Sequence, residues 1–96
     1  MSMGTLLKVD EWKSASGNYY VADVHTWKNW RHFARILDRE EDVEAFSEYL
    51  RTKRGAIVDG YYPDKDFLMF HWKDYGNAHQ FKLDVNRIAR KKNYLV

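Results

Sequence analysis

Hydrophobic and polar positions alternate along this chain with two different periods, and each period predicts a different kind of element. Residues 6–12 and 19–25 carry β-branched and aromatic side chains on either side of a short turn of small and polar residues. They are therefore predicted to form a β-hairpin. Residues 56–62 and 67–73 have the same character, and Pro63 between them occupies the second position of a predicted type I turn.

Apolar residues recur with the helical period in three further segments, which span residues 27–38, 40–54 and 78–92. The second segment has the clearest limits. Asp38 and Glu41 have the spacing of a capping box, and Gly55 can adopt the left-handed conformation that ends a helix. The third segment is predicted to begin after an Asn77 cap, with Gln80 in the capping-box position.

The first helical segment shows the clearest separation of basic residues from apolar ones. Wound as a helix, it places five basic or titratable residues on an arc about 100° wide, and these are Lys28, Arg31, His32, Arg35 and Arg39. Trp27, Trp30 and Leu37 are expected to face the core. A strand alternative exists because Phe33, Arg35 and Leu37 stand two residues apart, but the charge segregation favours the helix.

The predicted order of elements is ββααββα. Two hairpins that join into one sheet of about four antiparallel strands, with amphipathic helices on one face, make an α+β two-layer sandwich. The 96 residues are expected to form a single domain, 1–96.

Composition narrows the class of protein. The sequence is 45% hydrophobic and 31% charged, which is typical of an ordered globular domain. It has no cysteine, which excludes disulfides and cysteine-based zinc sites, and no apolar run of membrane-spanning length. We therefore expect a cytoplasmic protein that makes no membrane contact. The sixteen aromatic residues predict either a dense core or a recognition surface.

Charge is distributed unevenly although the net charge is only +2. Residues 38–48 are strongly acidic, whereas residues 87–92 hold four cations and no acid. On the last helical segment, five residues share the predicted polar side, and these are His79, Leu83, Asn86, Arg87 and Arg90. A leucine ringed by cationic side chains is typical of a small anchor in a protein interface.

These patterns favour a non-catalytic binding protein whose cationic helix face engages a polyanionic partner. The partner is expected to be nucleic acid or the acidic surface of a nucleic-acid-handling protein, as for a phage-type accessory or inhibitor protein. Replacing Arg31 and Arg35 by glutamate is expected to abolish binding and leave folding intact. A helix-turn-helix reader built from 27–38 and 40–54 is a weaker alternative, because its second helix would bring acids to the phosphates.

The alternative from another class is a small divalent-metal-dependent hydrolase or nuclease that uses Asp23, His25 and His71, with Asp59 as a further ligand. No established metal-binding motif supports it, and no catalytic residue or cofactor is predicted.

Overall fold

The structure is a computed structural model that describes the backbone of residues 7–13 and 20–24 and the complete residues 30–94. In these segments the elements are, in order, β1 (Leu7–Lys13), β2 (Tyr20–Val24), α1 (Trp30–Ile36), α2 (Val43–Arg54), β3 (Ile57–Tyr62), β4 (Phe67–Trp72) and α3 (Tyr75–Lys91). Helices alongside antiparallel strands confirm the general α+β class. No described helix is both long enough and apolar enough to cross a bilayer.

The strands are ordered β1-β2-β4-β3, and each neighbouring pair is antiparallel. The β3–β4 hairpin closes with Tyr62 opposite Phe67, and the Lys65 amide donates to the Tyr62 carbonyl at 3.1 Å. This hydrogen bond confirms the predicted turn at Pro63. A register shift between Val58 and Gly60 places a bulge in β3.

Aromatic rings from the helices and from β4 fill the core. Phe33 of α1 stacks on Phe70 of β4 at 5.8 Å and meets the edge of Phe81 of α3 at 5.7 Å, measured between ring centroids. Trp30 stacks on Phe46 of α2 in the same way, at 5.7 Å. The aromatic residues of this part of the chain therefore serve mainly to join the helices to the sheet.

Helix α1 is shorter than the predicted 27–38 segment, and residues 27–29 lie outside the described residues. The strand alternative is wrong for residues 30–36. Trp30 is buried and Leu37 packs partly buried against the core, as expected. The helix ends because Asp38 adopts a left-handed conformation, with φ of 57°. The amides of Asp38 and Arg39 then donate to the carbonyls of Arg35 and Ala34, which is a Schellman motif.

The predicted capping box of Asp38 and Glu41 is consequently wrong. Asp42 caps α2 instead, and its carboxylate accepts a hydrogen bond from the Ala45 amide at 2.8 Å. At the other end of the helix the prediction is confirmed, because Gly55 has φ of 73° and its amide donates to the Leu50 carbonyl.

Helix α3 also begins earlier than predicted. Asp74 is its cap and accepts from the Asn77 amide at 3.1 Å, so Asn77 lies inside the first turn. The buried side of the helix is wider than its apolar stripe, since Asn86 is buried as well as Val85. Asn86 therefore does not belong to the exposed polar side.

Candidate functional site

The arginines predicted to form a cationic face lie on the exposed side of the helical layer, but each of them has an acidic neighbour. Arg31 pairs with Asp66 at 2.8 Å and Arg35 pairs with Glu40 at 2.6 Å. A third pair, at 3.0 Å, joins Arg39 to an adjacent glutamate. The face is therefore a mixed-charge surface, and an anion that binds there must compete with carboxylates already in place.

Asp66 is the most connected of these acids. Its carboxylate accepts hydrogen bonds from the Trp30 indole and the Tyr61 hydroxyl, each at 2.8 Å, as well as from Arg31. Burial raises the pKa of Asp66, but the Tyr61 hydrogen bond and the Arg31 charge lower it more, so the pKa lies below its ordinary value. Arg31 is held in place at this cluster, with its guanidinium 4.9 Å from the centroid of Trp30.

The other members of the predicted face differ in position. Lys28 lies outside the described residues, and His32 is half-buried on α1. Arg39 follows the end of α1 and lies over the ring of Tyr49, at 4.6 Å from its centroid. A small groove of about 170 Å³ runs between α1 and the start of α2. Both glutamates that neutralise the arginines, Glu40 and Glu41, line it.

The second predicted set lies on α3 and is less neutralised. Leu83 has 47% of its surface exposed in the middle of the helix. Arg87 is exposed and reaches Asp84 at 3.2 Å. None of the described residues forms an ion pair with Arg90 or with its exposed neighbour Lys91. His79, by contrast, is half-buried and stacks on an adjacent tyrosine at 5.7 Å.

Asp84 fixes the polar side of this helix to the rest of the molecule. It accepts from Arg54 of α2 at 2.6 Å and from Gln80 at 3.0 Å, in addition to Arg87. Burial raises the pKa of Asp84, but the hydrogen bonds and the charge of Arg54 outweigh it, so the pKa is lowered. Leu83 therefore lies beside a residue that joins α3 to α2.

The C-terminal ends of α1 and α3 lie next to each other. Lys92 donates to the Ile36 carbonyl at 2.9 Å and pairs with Asp38 at 2.7 Å. A shallow recess at this junction is lined by Arg35 and Tyr94 together with both charges of that pair. The structure thus places Arg35, with its partner Glu40, next to the C-terminal end of α3.

The residues of the metal-site hypothesis are only partly described. His25 lies outside the described residues, and for Asp23 only the backbone is described, opposite Lys8. His71 is buried, with its Nδ1 3.7 Å from the nearer oxygen of Asp59. No group of three potential metal ligands occurs among the residues whose side chains are described.

One surface groove was not predicted from the sequence. A groove of about 500 Å³, the α2–β3 groove, lies between α2 and the outer edge of the sheet. Its lining includes apolar residues of both elements, three acids and the buried Ser47. The sequence signal was Ser47 itself, which lies four residues after Val43 and three before Leu50 in an otherwise apolar stripe.

Comparison of this chain with protein-family models, with curated proteins and with solved structures finds no match.

Proposed function

We propose that this chain is a non-catalytic binding protein that engages a polyanionic partner through the cationic face of α3, centred on Leu83, Arg87 and Arg90. The predicted ββααββα two-layer sandwich is the scaffold in this proposal. Of the α1 arginines, Arg35 lies at the margin of this surface.

The observation that carries the proposal is the contrast between the two arginine sets. Arg31 and Arg35 each have a carboxylate within 2.8 Å, so a new anionic contact gains little there. Arg90 and Lys91 have no acid paired with them among the described residues, so an incoming carboxylate or phosphate supplies their first ion pair.

An acidic protein surface is a better match than nucleic acid. Leu83 stands exposed between Gln80 and Arg87, and an apolar anchor ringed by cations is typical of a protein interface. Nucleic acid binding depends on many phosphate contacts, and α3 offers few unpaired cations for them. We therefore propose an acidic protein with an apolar pocket as the partner, and the experiment below distinguishes it from nucleic acid.

The experiment measures binding of two labelled probes, a polyglutamate peptide and duplex DNA, by fluorescence anisotropy at several salt concentrations. The test variant is Arg87→Gln with Arg90→Gln, and Leu83→Ala is measured beside it. The matched control is Lys53→Gln with Lys73→Gln, which removes two exposed cations elsewhere on the surface.

The proposal predicts that polyglutamate binds, that the α3 double variant weakens this binding several-fold, and that the control variant does not. Most of the loss should come from Arg90, because Arg87 already pairs with Asp84. If duplex DNA binds more tightly and its salt slope falls by about one unit per lost contact, the partner is nucleic acid. Equal losses in the α3 variant and the control, or no binding of either probe, would refute the assignment.

A further inference from the structure

The α2–β3 groove has the opposite charge to the α3 face. Glu44 and Glu48 stand one helical turn apart on its α2 rim, and Asp59 lies on its β3 side. Among the described lining residues Arg51 is the only cation, and its guanidinium is already 3.6 Å from Glu48. The rim therefore carries an excess of negative charge that favours a cationic ligand.

The floor of the groove is apolar and is built from both elements. Val43 of α2 and Val58 and Tyr61 of β3 are half-buried, and each packs against the main core. Leu68 of β4 closes the bottom and is 5% exposed. A strip of this kind, bounded by acids, suits a ligand that carries both apolar and basic side chains.

One hydroxyl in the groove has no hydrogen-bond partner among the described residues. Ser47 is 6% exposed and lines the groove, and its hydroxyl makes no hydrogen bond with any described residue. Thr52, on the same helix, shows the usual arrangement, since its hydroxyl donates to the Glu48 carbonyl at 2.8 Å. The Ser47 hydroxyl is therefore available to a ligand in the groove, and a ligand that bonds to it adds one hydrogen bond to the contact.

The backbone beside the groove is also open. β3 pairs with β4 on one side only, and no described strand lies along its other edge. The unpaired amides and carbonyls of an edge strand are a template for an extended chain. The bulge between Val58 and Gly60 restricts regular pairing to a short stretch, so backbone pairing alone does not define the ligand.

We propose that the α2–β3 groove binds an extended segment of a partner protein in which basic and apolar side chains alternate. In this arrangement the apolar side chains lie on Val43 and Val58, and the basic ones reach Glu44 and Glu48. The segment's backbone bonds to Ser47 and to the open edge of β3. This site is independent of the α3 face and takes a ligand of the opposite charge.

The test uses a labelled peptide of about nine residues that alternates lysine and valine, so that one face is basic and the other apolar. A peptide that alternates glutamate and valine is the matched negative probe. The protein variants are Glu44→Gln with Glu48→Gln, and Ser47→Ala. The control is Glu40→Gln with Asp64→Asn, which removes two exposed acids outside the groove.

The proposal predicts that only the lysine peptide binds. The groove double variant should raise its dissociation constant about tenfold and Ser47→Ala about fivefold, with the control unchanged. The Arg87→Gln/Arg90→Gln variant should keep full peptide affinity, so failure of the α3 proposal does not affect this result.

Three results would overturn the proposal. Equal binding of both peptides, or equal losses in the groove variant and the control, would mean that the groove does not recognise a basic segment. Sedimentation of the protein alone provides the other check. If the wild type self-associates and the groove variant is monomeric, the occupant is a second copy of this chain instead.

Discussion

The indole nitrogen of Trp30 donates to Asp66 at 2.8 Å, and the backbone amide of the same tryptophan donates to the Asp66 carbonyl at 2.9 Å. Two hydrogen bonds thus connect the first residue of α1 to the last loop residue of the β3–β4 hairpin. Asp66 has φ of 51°, a left-handed conformation that a non-glycine residue adopts at some cost. The carboxylate contacts are what hold it there.

Replacing Asp66 by alanine should lower the free energy of unfolding by about 2–3 kcal/mol, because it leaves the buried Trp30 indole and the Tyr61 hydroxyl without partners. Urea denaturation followed by tryptophan fluorescence measures the change. Asp66→Asn keeps an acceptor and a residue that tolerates the left-handed conformation, so it should lose clearly less. An alanine variant as stable as the wild type would show that the cluster contributes nothing to stability.

The Asp66 carboxylate, together with that of Asp84, should make the stability of the fold depend on pH in the acid range. The pKa values of Asp66 and Asp84 lie below their ordinary values in the folded protein. A carboxyl whose folded pKa is depressed stabilises the fold fully above its unfolded pKa of about 3.9, and that stabilisation is lost as the pH falls through the folded pKa.

Urea midpoints should therefore be nearly constant near neutral pH and fall steeply below about pH 4. The Asp66→Asn and Asp84→Asn variants should start from lower midpoints and fall less steeply. If the urea midpoints of the wild type and of the variants fall in parallel as the pH is lowered, this account is wrong.

The sequence was most informative where structure is decided locally. Gly55 ends α2 and Pro63 forms its turn because each conformational preference belongs to the residue itself. The start of α2 was mispredicted because Asp38 and Asp42 both have side chains that can cap a helix. In the structure Asp38 has a left-handed backbone that ends α1, so the cap of α2 is Asp42.

The pairing of the charges could not be predicted for a different reason. Arg31 meets Asp66 thirty-five residues later in the chain, so its neutralisation depends on how α1 packs against the hairpin. Helical periodicity places residues on a face but carries no information about what the neighbouring element presents to that face. The α2–β3 groove was not predictable for the same reason, since half of its lining comes from the sheet.

Asp38→Gly should change the free energy of unfolding in opposite directions for the two roles considered for Asp38, the left-handed residue that ends α1 and the cap of α2. Because Asp38 is the left-handed residue after α1, glycine should raise the free energy of unfolding by about 0.5–1 kcal/mol. The lost pair with Lys92 offsets little, since 82% of the Asp38 side chain is exposed. Asp38→Ala should instead be neutral or destabilising. If glycine and alanine both destabilise, Asp38 acts as a helix cap after all.

The two arginines of α1 should respond differently to charge reversal. Arg31→Glu places a carboxylate against the Asp66 cluster and removes the contact with Trp30, so we expect a loss of about 1–2 kcal/mol. Arg35→Glu removes a pair whose side chains are 50% and 58% exposed, so the loss should stay within about 0.5 kcal/mol.

This prediction differs from the sequence-based expectation that both substitutions leave folding intact. It also decides which variant is usable in a binding assay, since a partly unfolded Arg31→Glu protein loses affinity for any partner. Arg35→Glu should retain the wild-type melting temperature, so a loss of binding in that variant reports the surface itself. Melting curves of the two single variants, recorded side by side by circular dichroism, test the distinction. Equal melting temperatures would show that the Asp66 cluster tolerates a second carboxylate.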